Sequence, residues 1–97
     1  MLHLFALSSL PQECLDRVGS GDDVLLQHGA FWAAFSGHRD NPKLHLLMAR
    51  DIRVYVLQEW LTVNGLTDGQ ILAGVEIIDY SGLVGLTVKN SVIHTWR

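Results

Sequence analysis

The sequence holds one cysteine, two prolines and only seven lysines and arginines in 97 residues. One cysteine excludes an internal disulfide and any CxxC redox or zinc motif. So few cations, thinly spread, form no basic stripe. The electrostatic attraction that dominates nucleic-acid binding is therefore missing, and no direct contact with RNA or DNA is expected. Long hydrophobic runs are absent as well. The apolar stretch at the start, Leu2 to Leu7, is short and has no cationic lead. It reads as neither a signal peptide nor a membrane span, so a cytoplasmic chain with no membrane partner is expected.

Several motifs are also missing. His3, His28, His38, His45 and His94 show no HxxxH or HExxH spacing and no cysteine partner, which argues against a metal site. Gly19-x-Gly21 precedes a strand pattern and lacks a third glycine, so it reads as a turn and not as a dinucleotide loop. A phosphoacceptor domain would want acids after its first strand, where this chain has Ala6-Leu7-Ser8-Ser9. No cofactor is expected.

What is present is apolar. The chain is 48% hydrophobic and 18% charged, with a net charge of −3 and a mean hydropathy of +0.22. Soluble domains are roughly a quarter charged, and small ones have the most surface to wet. The excess suggests that a neighbouring chain covers part of this one. The alternative is a tightly packed α/β monomer.

The length fits one domain, residues 1–97. Leu2 to Leu7 reads as a strand buried on both faces. Ser8, Ser9 and Pro11 break it, and Ser9 with Gln12 fits a capping box for a helix to about Val18. Asp23 to Gln27 is a second strand. A short helix through "AFWAAFSG" stops at Gly37, and Asn41-Pro42 opens another. Ile52 to Leu57 is a β-branched third strand. "QEWLTVNG" is a helix with Gly65 just past its end. "VEIID" is a fourth strand, capped into the helix "YSGLVGLTVKN" by Asp79. "SVIHTW" is a fifth. This alternation predicts an α/β fold: a compact, mostly parallel five-stranded sheet with helices on both faces, flavodoxin-like in architecture.

Leu83, Val84, Leu86 and Val88 spread over more than one stripe of a helix, so not all can face the sheet. Leu86, Trp96, Trp60, Trp32 and Phe31 are the candidate subunit contacts, since large apolar side chains anchor interfaces. For Trp32 and Trp60 a core position is the competing reading. Cys14 is the one thiol. It is either a small buried side chain on the Leu10–Val18 face or a nucleophile helped by Arg17.

Taken in order, "MLH", "GDDVLLQHGAFWAA" (Gly21 to Ala34), "IRVYVLQEWLTVNGL" (Ile52 to Leu66) and "VEIIDYSGLVGLTVKN" followed by Trp96 resemble the TusB/DsrH family of sulfur-relay subunits. The resemblance spans nearly the whole chain and implies a DsrE/DsrF/DsrH-like fold. It implies a non-catalytic or accessory subunit of a heterohexameric sulfurtransferase complex, with TusC/DsrF-like and TusD/DsrE-like sister chains as partners. Such complexes receive and pass on persulfide sulfur through small sulfur-carrier proteins, and the principal cysteine lies on a sister subunit. The destination in TusBCD-like systems is the 2-thio group of a tRNA wobble uridine. In DsrEFH-like systems the complex serves sulfur oxidation. DsrH-type members carry a cysteine in the first helix, which makes Cys14 a candidate accessory persulfide site. Two other readings stand beside this one. The chain is a self-sufficient sulfur carrier through Cys14, or it is a ligand-binding α/β module with a pocket near Ser8, Ser9 and Asp79.

Overall fold

The computed structural model describes residues 1–7 and 9–96. Within them, five strands form one sheet: β1 (Leu2–Phe5), β2 (Asp23–Leu26), β3 (Arg53–Leu57), β4 (Glu76–Ile78) and β5 (Ile93–Trp96). Their order is β4-β3-β2-β1-β5, and all the pairings are parallel. The helices are α1 (Gln12–Leu15), α2 (Asn41–Ala49), α3 (Gln58–Val63) and α4 (Tyr80–Lys89), with 3-10 helices at His28–Ala34 and Asp68–Gln70. No helix is long and apolar enough to cross a membrane among these residues.

The predicted α/β architecture is what forms. The chain lays strands in one direction from β1 to β4, then crosses back over β1 to place β5. The flavodoxin order 2-1-3-4-5 reverses at a different strand. Right-handed crossovers then put the first connections on one face of the sheet and α4 on the other.

The two faces are unequally covered. On the first, Phe5, Val24, Leu26, Val54 and Val56 pack under Leu10, which precedes α1, and under Leu15, Phe31, Leu44, Leu47 and Leu61 from α1, the longer 3-10 helix, α2 and α3. On the second, Leu2, Leu25, Tyr55 and Leu57 meet only Leu86 of α4 as a buried partner, with Leu83 and Ile78 half-buried beside it. Full burial of one large apolar side chain contributes roughly 1.5–3 kcal/mol, so the first face dominates the stability. α4 turns Val84 and Val88 to solvent, 60% and 81% exposed, as its four-residue spread of apolar positions requires.

Local structure departs from expectation at α1. Ser9 and Gln12 form no capping box: Pro11 is the N-cap residue, and no side chain caps the helix. The helix ends at Leu15 instead of continuing to Val18. Cations from α2 take up the carbonyls of this segment. Lys43 Nζ donates to the Leu10 carbonyl at 2.6 Å, and Arg50 donates to the carbonyls of Leu15 and Val18. The "AFWAAFSG" helix is a 3-10 helix that starts earlier, at His28, and ends before Phe35, which forms an isolated bridge to Ile71. Asn41 sits at the start of α2 but serves the preceding loop. Its Nδ2 donates to the carbonyls of Ala33 and Phe35, and its Oδ1 accepts from Gly37 N–H. The two helix ends near the fourth strand follow the sequence reading. Gly65 takes φ +68 just past α3, a conformation that favours glycine. Asp79 Oδ1 accepts from Gly82 N–H at 2.9 Å. Gly82 is small for a reason: a Cβ there would lie 2.9 Å from Ile78 Cβ, where α4 crosses β4.

Candidate functional site

Cys14 is the third residue of α1, on the segment that leaves the carboxyl end of β1. Leu10, Leu15 and Val18 around it are buried. Cys14 itself is half-buried: it packs on the thick core layer while keeping part of its surface in water. A four-residue helix supplies little dipole, so its thiol depends on its position and not on a helix end. That position is set from outside α1, by Lys43 and Arg50. Sequence reasoning looked to Arg17 and missed these two. They lie seven residues apart, Lys43 in the first turn of α2 and Arg50 just past its end, and that spacing is the signal that points to them.

The other candidate residues divide by burial. Phe31 has no exposed surface and Leu86 has 7%, so both are core residues with no area left for a partner. Leu86 is buried because it is the residue through which α4 seats on the sheet. Trp96 is half-buried and structural. Its ring stacks 5.9 Å from Phe5, and its Nε1 donates to His3 Nδ1 at 3.0 Å. Trp60 is half-buried and touches both core layers. Its ring meets His28 edge-on at 5.2 Å and lies 6.3 Å from Phe31. Trp32, 40% exposed, keeps much of its surface free while packing edge-on against Phe31.

The carboxyl ends of β3 and β4 open into two neighbouring clefts. One, of 410 Å³, is lined by Gln58, Ile77, Ile78, Asp79 and Gly82. The other, of 250 Å³, is lined by Glu59, Trp60, Val63 and Tyr80. Sequence reasoning placed a possible pocket near Ser9 and Asp79. The structure puts the clefts at Asp79 but on the α3 side, away from α1; Ser8 lies outside the described residues. Glu59 and Tyr80 went unnoticed in the sequence, since neither belongs to a motif.

The amino end of the sheet holds a polar network. Asp23 is fully buried and accepts from Lys89 Nζ at 3.1 Å and Asn90 Nδ2 at 3.0 Å, with the Tyr55 hydroxyl at 3.5 Å. Asp22 accepts from Gly19 N–H, from the N-terminal ammonium and from His3 Nε2. An indole N–H only donates, so His3 accepts at Nδ1 and carries its proton on Nε2, facing Asp22. Burial pushes the Asp22 pKa up, but the hydrogen bonds from Gly19, His3 and the N-terminus outweigh it and hold the carboxyl below its usual value. Burial also raises the pKa of Tyr55, helped by the charges of Asp23 and Glu76 and opposed by Arg53. Among the described residues no three of His, Cys, Asp and Glu converge as a metal site would require.

A sequence model of the family described as DsrH like protein matches residues 6–93. The chain belongs to the TusB/DsrH family. It is 42% identical to Protein TusB of Shigella flexneri over 82 residues, covering 84% of this chain and 82% of that protein. Protein TusB of Escherichia coli O139:H28 (strain E24377A / ETEC) is 40% identical over the same shares. Among solved structures, the ychN protein from E. coli superposes with a TM-score of 0.76 at 16% identity, over 98% of this chain and 97% of that one. A protein of unknown function from Methanobacterium thermoautotrophicum gives 0.73 at 12% identity, over 98% and 96%. At those identities the likeness is one of fold.

Proposed function

We propose that this chain is the small accessory subunit of a cytoplasmic, heterohexameric sulfur-relay complex. It assembles with TusC/DsrF-like and TusD/DsrE-like chains, two copies of each of the three, and the sulfur is bound for the 2-thio group of tRNA wobble uridine. The observation that carries this reading is the similarity to proteins named TusB, 42% and 40% identical over most of the chain. Exposed apolar side chains on α4 and around β5 support association: Val84 and Val88 on the helix, Val92 at 52% and Ile93 at 46%. In this role the chain shapes and completes an assembly whose main thiol lies elsewhere.

Cys14 serves as an accessory stop for sulfur. Its thiolate attacks the outer sulfur of a donor persulfide, a new S–S bond forms on Cys14, and the donor's S–S bond breaks. The donor cysteine leaves as a thiolate, so no external oxidant is needed. Partial exposure supports this, because a donor must reach the sulfur. The same thiol in the first helix favours a second reading, a DsrH-type subunit of a sulfur-oxidising complex.

Co-expression with two homologous chains tests the assembly. One complex containing all three is expected on size exclusion, and a monomer that ignores both would refute the reading. Deletion should abolish the 2-thio modification of wobble uridine, measured by mass spectrometry of tRNA nucleosides. Unchanged thiolation together with impaired sulfur oxidation would favour the second reading. Incubation with a persulfide donor should add one sulfur atom to Cys14 and none to Cys14→Ser.

A further inference from the structure

We propose that the cleft lined by Glu59, Trp60, Val63 and Tyr80 receives a cationic side chain, arginine or lysine, from a sister subunit. This rests on the assembly reading above and names the chemistry of one contact within it. Among the described residues, two buried side-chain oxygens have no hydrogen-bond partner: Asp40 Oδ2 and Glu59 Oε2. The Asp40 carboxylate has a cation beside it within the chain, with Lys43 Nζ 3.6 Å from Oδ1. No ion pair within the described residues answers Glu59. One of its carboxylate oxygens is shut from water, and the residue lines a 250 Å³ cleft. The terminal torsion of a glutamate is broad and roughly two-fold, so either oxygen can turn to a cation in that cleft.

The walls suit a cation. Trp60 and Tyr80 line the space, and aromatic faces attract guanidinium and ammonium groups, arginine in particular. Among the described residues, no basic side chain lines the cleft. The rim identifies the carrier as a protein. Val63 is 80% exposed and Tyr80 58%, apolar surface that a free small amine would leave wet and a docked subunit would cover. One carboxylate among aromatic and aliphatic walls is a poor metal site.

The experiment co-expresses the two homologous chains with wild-type, Glu59→Gln or Asp51→Asn protein. Asp51 is exposed, sits at the amino end of β3, and controls for the lost charge. Glu59→Gln should weaken assembly by about tenfold or more and reduce its salt sensitivity, while Asp51→Asn assembles as wild type does. Wild-type assembly that Glu59→Gln matches overturns this inference and leaves the proposed function standing. Failure of the wild type to assemble refutes the proposed function itself. The cleft is judged separately on the isolated chain by titrating N-acetyl-arginine amide and following the Trp60 indole N–H by NMR. A shift that Glu59→Gln abolishes supports the inference, and no Glu59-dependent shift overturns it.

Discussion

The two ends of the sheet treat buried carboxylates in opposite ways. At the amino end Asp23 is fully enclosed, and a lysine, an asparagine and a tyrosine gather on it. At the carboxyl end Glu59 has a buried oxygen on which nothing gathers among the described residues. A buried polar group left unpaired costs free energy, so the first arrangement holds the fold together and the second weakens it slightly. The amino end ties β1, β2, β3 and the end of α4 into one unit, and Trp96 reaches back to it from the far end of β5. The carboxyl end is left open, with clefts and exposed apolar side chains. Stability is concentrated at one end and contact chemistry at the other, a division common in parallel α/β sheets.

Breaking the closed end should cost most. Asp23→Ala takes an acceptor from buried Asn90 and frees Lys89, whose side chain is 52% exposed, and should destabilise the chain by up to about 3 kcal/mol. Urea unfolding measures it. A loss below 1 kcal/mol would mean that water already satisfies the site. Next, Trp96→Phe keeps the stacking on Phe5 but removes the donor to His3 Nδ1. A cost of about 1–3 kcal/mol is expected from leaving that nitrogen unpaired.

The same end sets the response to pH. The folded Asp22 carboxyl has a lowered pKa. Its stabilisation is complete above the unfolded value of about 4 and fades as pH falls through the folded one. Tyr55 has a raised pKa in the fold. Its contribution is complete below about pH 10, the unfolded value, and is lost as pH rises beyond it. The melting temperature should therefore drop on both flanks. Asp22→Asn should flatten the acid flank and Tyr55→Phe the alkaline one. An acid flank unchanged in Asp22→Asn would assign the drop to other carboxylates.

Sequence reasoning reached the fold because strands β2 and β3 are near-continuous apolar runs and β-branched, and because Gly65 and Asp79 mark helix ends by local chemistry. It found from spacing that Leu83, Val84, Leu86 and Val88 could not all face the sheet, but not that Val84 and Val88 are the ones left outside. It did not reach what depends on distant pairing. Phe31 and Leu86 read as contacts by residue type, but burial is decided by which face of which layer they meet. The Ser9 capping box was plausible locally, yet Lys43 and Arg50, far along the chain, took the role of fixing α1. Glu59 gave no signal, because the lack of a partner is visible only in three dimensions.

Between the two ends lies the tether on α1. Arg50→Met removes the donors to the carbonyls of Leu15 and Val18. Hydrogen bonds from charged donors contribute about 1.5–3 kcal/mol each, but this side chain lies at the surface, so a total near 1 kcal/mol is expected. The clearer readout is local. Cys14 should react several-fold faster with a disulfide reagent once its segment loosens. An unchanged rate would show that core packing by Leu10, Leu15 and Val18 fixes α1 without help.

The smallest effect on stability is expected at the open end, and its sign matters more than its size. Glu59→Gln keeps the shape of the side chain and removes a charge that no ion pair answers among the described residues. A carboxylate that held the fold together would lose stability on this change, as Asp23 should. One that the fold merely tolerates should lose none, and a gain of up to about 0.5 kcal/mol is expected as the desolvation cost falls. Urea unfolding of the isolated chain reads the sign directly. A clear loss would mean that Glu59 has an internal partner, and the contrast between the two ends would collapse. A gain would separate stability from assembly, because the same substitution is expected to weaken docking of a sister chain.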